Sequence, residues 1–199
     1  MRESLLAVVA ILLALGLAVI CCWRRRSSPS PPPPSPPSSL IRQQSVLRNP
    51  NRPVNLPSIH PNLWLGNVVS AANAGGEFDH VVCVAYGETC GAAPIRSVYA
   101  DDTFPDAPDV SRDDFEARVK RAAANIHEAL ERGDAVLVHC HAGINRSVSA
   151  IVAYAALYRG VGASVSIPYI RAANKSRRDL PALTNRTFER YCSTMFGGG

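Results

Sequence analysis

The sequence predicts an α/β fold, a central and mostly parallel sheet flanked by helices, with one N-terminal transmembrane helix ahead of it. Three observations lead there. Residues 80–85 and 135–139 are short Val-, Leu- and Ala-rich runs of the kind that form strands buried on both faces. Longer segments between and after them carry apolar residues at helical spacing, and strands that alternate with helices build a layered α/β sheet. Residues 4–23 contain no charged side chain and have about the length of a bilayer core.

Arg2 precedes that apolar run and Arg24, Arg25 and Arg26 follow it. An excess of positive charge marks the side kept in the cytoplasm, so the expectation is a single-pass membrane protein with its catalytic domain cytoplasmic. A cleaved signal peptide is the rival, but no small-x-small cleavage site precedes the arginines. Cys21 and Cys22 stand where juxtamembrane palmitoylation occurs, and Ala10, Ala14 and Ala18 form a small-residue stripe that can pair helices. Residues 27–39 are almost entirely Ser and Pro, an extended spacer, and 24–54 as a whole read as a basic, Ser/Pro-rich linker.

The net charge of +5 comes from this linker, where Arg24, Arg25, Arg26, Arg42, Arg48 and Arg52 meet no acid; residues 55–199 carry −1. A nucleic-acid-binding surface is therefore not expected. The six cysteines lack the dense spacing of a secreted disulfide scaffold, so reduced thiols are the default.

The folded domain is expected over 55–199. A first strand and turn fall at 63–67, a valine-rich strand at 80–85 and a short strand at 97–99, followed by an acidic, proline-bearing loop over 101–109. Ser111 and Asp114 have capping-box spacing, and Phe115, Val119, Ala122, Ala123, Ile126 and Leu130 then recur on one helical face until Gly133. Residues 135–139 are the clearest buried strand, and helices follow over 147–159, 165–173 and 184–196.

Between that strand and the next helix lies His139-Cys140-His141-Ala142-Gly143-Ile144-Asn145-Arg146-Ser147, in which five residues separate a cysteine from an arginine. A loop of this length curls so that its backbone N–H groups converge on one anion, while the helix N-terminus adds positive potential. The same donors favour a thiolate nucleophile. His141, Ala142, Gly143, Ile144, Asn145 and Arg146 would thus bind phosphate, with Arg146 gripping two of its oxygens. Cys140 would attack phosphorus, and Ser147 would hydrogen-bond the sulfur and ease its departure.

These residues resemble the His-Cys-x5-Arg-Ser/Thr signature of the cysteine-dependent phosphatases, and specifically the small dual-specificity protein phosphatases, over about residues 58–196. Ile59 through Asn67 is similar to that family's opening strand, Ala153-Tyr154 to its helix after the signature, and Ala142 through Ser147 with Asp101-Asp102-Thr103 to the poxvirus H1-type member. The resemblance implies the cysteine-dependent phosphatase fold, phosphorylated protein substrates and no cofactor. It also implies a general acid ahead of the long helix, a position matched by Asp102, with Asp101 beside it as the second candidate. Asn145 before the arginine also occurs in related RNA 5′-polyphosphate phosphatases, which therefore stand as an alternative. An inactive phosphate-binding module is a third reading. No insertion supplies a deep tyrosine cleft, so a shallow pocket accepting phosphoserine, phosphothreonine and phosphotyrosine is expected.

The remaining polar residues carry plainer expectations. His139 supports the loop from behind; with Cys140 and His141 it does not make a metal site, because adjacent residues leaving a strand point in different directions. Asp106 and Asp109 read as solvated loop or capping acids, His60, His80 and His127 as structural or solvent-facing. Cys83 reads as core, with pairing to Cys140 under oxidation as the sharper alternative. Cys90 and Cys192 have no evident role. Lys175, Arg177 and Arg178 form a basic cluster that either receives a second substrate phosphate or is a solvated helix end.

Overall fold

In a computed structural model of the chain, residues 48–74, 76–85 and 104–198 are described. The chain divides into two units, Met1–Leu40 and Ile41–Gly199, and the described residues belong to the second. Their elements are β1 (Val54–Asn55), β2 (Leu63–Gly66), α1 (Val68–Ala72), β3 (His80–Cys83), α2 (Arg112–Glu131), β4 (Val136–His139), α3 (Arg146–Arg159), α4 (Ala163–Arg178) and α5 (Arg186–Phe196).

The sheet runs β1-β2-β4-β3. β4 lies parallel between β2 and β3, with Gly66 and Cys83 both level with His139, and β1 adds antiparallel to β2. The alternation of side chains along a strand sends Leu63, Leu65, Val82, Val136 and Val138 into the main core. On the opposite face Trp64, Val81 and Leu137 join Phe78 and Ala71 in a smaller cluster. Both faces are apolar, which is why these strands read as continuous hydrophobic runs rather than alternating ones.

α2 buries the face that its spacing foretold, and Ser111 Oγ accepts from the Asp114 amide at 3.2 Å. α3 is buried from Arg146 to Ala155 and packs against α2, α4 and α5. Phe104, Phe115, Phe188 and Tyr191 form an aromatic cluster that ties the segment before α2 to α5, with Phe115 and Phe188 ring centres 4.9 Å apart.

Several elements differ from expectation. β3 stops at Cys83, and Ala85 makes an isolated bridge to Phe104. Gly66 ends a strand rather than opening a turn, and Asn67 caps α1, its side chain accepting from the Ser70 amide. The helix expected over 165–173 runs on to Arg178, because its buried face of Ile167 and Ile170 continues through two polar residues, Asn174 and Arg178. The strand expected at 97–99, together with Cys90, lies outside the described residues.

The single-pass, cytoplasmic-facing membrane placement does not stand. No helix among the described residues is long and apolar enough to cross a membrane. The longest described helix, α2, with 20 residues, spends one face on charged side chains. The segment 4–23, with Cys21, Cys22 and the alanine stripe, and the Ser/Pro run at 27–39 lie outside the described residues.

Candidate active site

The loop 140–145 leaves the carboxyl end of β4, the middle parallel strand, and enters α3. Ligands collect at such strand ends in open α/β sheets. Gly143 has φ of 69°, a conformation that favours glycine, and this lets the loop turn back over itself.

The outer side of the loop is clamped carbonyl by carbonyl. The Val68 amide donates to His141 O at 3.1 Å and the Leu183 amide to Ile144 O at 2.7 Å. Arg178 donates to Ala142 O at 2.9 Å and to Gly143 O at 3.3 Å. In trans peptides the N–H lies opposite the carbonyl, so this clamping turns the amides of Ala142, Gly143, Ile144 and Asn145 toward the inside of the loop. Amides arranged in this way at the start of a helix make a cradle of the kind that binds an anion.

Cys140 lies beneath this cradle, 1% exposed, with its Sγ 3.3 Å from Ser147 Oγ. His139 is buried, with its Nδ1 3.3 Å from the Cys140 carbonyl. Arg146 is buried; its Nη1 donates to Phe104 O at 3.2 Å, while its Nε is buried without a hydrogen-bond partner among the described residues. A phosphoryl oxygen would satisfy that donor, as guanidinium pairs with phosphate through two adjacent N–H groups.

Asn145 binds outward rather than into the cradle. Its Nδ2 donates to both Asp106 carboxylate oxygens, at 3.2 and 3.0 Å, and its Oδ1 accepts from the amides of Thr184 and Asn185 at 2.7 and 3.0 Å. Asp106 also accepts from Asn185 Nδ2 at 3.1 Å. Asp106 is therefore a tie between three segments and not a merely solvated acid. Asp101 and Asp102 lie outside the described residues; Phe104, two positions after Asp102, is fully buried and held by Arg146.

Further expectations need correction. Arg178 is 1% exposed and turned under the loop, and Lys175 pairs with Asp179 at 2.7 Å, so these two do not form an open second phosphate site with Arg177. Cys83 is disulfide-bonded whereas Cys140 and Cys192 are free, so Cys83 is not poised as a redox partner of Cys140. Burial pushes the Cys192 thiol up to about 12, which suits an inert core residue. Among the described residues no group of three or more His, Cys, Asp or Glu side chains stands together to hold a metal. Sequence reasoning missed Val68 and Leu183 altogether, since a backbone amide carries no sequence signature.

The family model for the dual specificity phosphatase catalytic domain matches residues 64–189. The chain belongs to that family. The match spans every element from β2 to the first turn of α5 and includes all the loop residues described above. Among relatives, mouse dual specificity protein phosphatase 12 is 33% identical over 104 residues, covering 48% of this chain and 29% of that protein. Protein 123R of Invertebrate iridescent virus 6, which carries a tyrosine phosphatase name, is 30% identical over 96 residues, covering 47% of this chain and 61% of the viral protein. The chain thus spans less than two thirds of the length of either relative. In structure, the tyrosine phosphatase OH1 of Orf virus aligns over 79% of this chain and 96% of its own, with a TM-score of 0.54 and 19% identity. At that identity the likeness is one of fold, an α/β phosphatase fold with a mixed sheet.

Proposed function

We propose that the chain is a dual-specificity protein phosphatase working through a phosphocysteine on Cys140. The observation that carries this reading is a free, buried Cys140 in a loop whose four carbonyls from His141 to Ile144 are held by other segments, followed by an arginine whose buried Nε has no partner among the described residues. The cradle binds the phosphate dianion, and Arg146 neutralises charge on the transferring group. The Cys140 thiolate forms a bond to phosphorus as the P–O bond to the side chain breaks, and Asp102 protonates the departing oxygen. Water then attacks the phosphocysteine, Asp102 takes its proton, and Ser147 hydrogen-bonds the sulfur as it leaves as thiolate.

The test uses the full chain with phosphotyrosine and phosphothreonine peptides and triphosphate-ended RNA. Phosphopeptide turnover that vanishes in Cys140→Ser is expected, with a fall of about 10²- to 10⁴-fold in Asp102→Ala. Release from RNA alone would transfer the assignment to a 5′-polyphosphate phosphatase. Phosphate binding without turnover of any substrate would leave a binding module.

A further inference from the structure

Of the four carbonyls clamped on the outside of the loop, two are held by one side chain. Arg178, the last residue of α4, is 1% exposed. Its guanidinium donates to Ala142 O at 2.9 Å and Gly143 O at 3.3 Å, and also to Pro50 O at 2.7 Å and Asn174 Oδ1 at 3.2 Å. All four acceptors are neutral. A buried guanidinium without a carboxylate partner is costly, and a second anion nearby offsets that cost. Burial draws Arg178 below the ordinary arginine range, while Cys140 acts in the opposite sense. Contact with the loop is close; a Cβ built on Gly143 would stand 2.5 Å from Arg178 Nη1.

We propose that Arg178 is a positioning residue for phosphate binding: its planar fork fixes two consecutive peptide planes so that the Gly143 and Ile144 amides face the phosphoryl oxygens. It touches neither substrate nor reacting atoms. Only arginine offers donors in a rigid fork that reaches two loop carbonyls and anchors itself on Pro50 and Asn174 at once; a lysine ammonium is a point donor on a flexible stem. The proposal rests on the phosphatase reading for its kinetic consequence, but its binding consequence is independent of turnover.

The experiment compares the full-length parent with Arg178→Lys and Arg178→Met. Four quantities are read: the dissociation constant for inorganic phosphate by calorimetry, KM and kcat on a phosphotyrosine peptide, and the thermal midpoint. Cys140→Ser is run beside them, so that a missing phosphatase activity is seen in the parent and is not attributed to Arg178. Misplacing the cradle amides in Arg178→Met should weaken phosphate binding by on the order of 10²-fold. Arg178→Lys should recover the thermal midpoint but leave phosphate affinity down by about tenfold, the worth of roughly one hydrogen bond to a charged group. Parent-like phosphate affinity and KM in a folded Arg178→Lys would overturn the proposal, and that variant decides alone if Arg178→Met does not fold.

Discussion

Gly143→Ala tests the cradle at its tightest point. A Cβ there would lie 2.5 Å from Arg178 Nη1 and 2.9 Å from the carbonyl carbon of Gly66, with the Gly66 oxygen nearer still. Relaxed carbon contacts begin near ~3.5 Å, so the loop has to retreat from the end of β2 by about 1 Å. The φ of 69° adds about 1 kcal/mol for any residue with a side chain. A displacement of about 1 Å at a catalytic centre costs on the order of 10²-fold, so kcat/KM on a phosphotyrosine peptide should fall at least that far. The loop lies at the rim of the core, so thermal unfolding should drop by only a few degrees. Steady-state kinetics beside a melting curve separates the two effects. An alanine variant within a few-fold of parental kcat/KM would refute the argument, because a cradle that tolerates such a shift is not what positions the phosphate.

Asn145→Ala should loosen Asp106, leaving it only its Asn185 partner, and with it the segment that follows Asp102. Turnover of phosphothreonine peptide, whose leaving alkoxide needs protonation, should then fall several-fold more than turnover of p-nitrophenyl phosphate, compared as a ratio of kcat values. Phe188→Ala opens a hole in the aromatic cluster and should cost about 3–5 kcal/mol in urea unfolding. His60 and His80 both have pKa values lowered from 6.5, first of all by burial. The unfolded chain therefore binds protons more readily than the folded one, and stability should be lost as pH falls below about 6.5 through the lowered native values. The urea midpoint should drop between pH 7.5 and 5.5, and His80→Gln should flatten that slope.

The signature loop and its flanking elements were legible because each rests on a strong local rule. The Cys140 to Arg146 spacing is fixed by the circumference of an anion cradle, and β4 and α3 announce themselves by a run of valine and leucine and by a long apolar segment. β1 was invisible because two residues have no period, and α1 because a five-residue helix is made by its Asn67–Ser70 cap rather than by a face. The C-terminal third of α4 was lost for a different reason. Ile167, Ile170, Asn174 and Arg178 keep helical spacing, but hydrophobic periodicity scores the last two as breaks. An asparagine and an arginine continuing an apolar stripe are themselves a signal: such residues are buried only where hydrogen-bond partners wait for them.

The residues that clamp the loop are drawn from widely separated stretches of chain: Val68 before it, Arg178 and Leu183 after it, with Arg178 itself anchored on Pro50. During synthesis Cys140 and Arg146 are therefore made before Arg178 and Leu183, which hold three of the four loop carbonyls. A nascent chain that has emerged only as far as α3 contains every signature residue yet lacks three of its four carbonyl clamps. On the phosphatase reading, catalytic competence is thus expected among the last properties acquired, with the docking of α4 and the turn behind it rather than with collapse of the sheet. A polypeptide still being made is in this way kept from acting on its surroundings, with no inhibitor required.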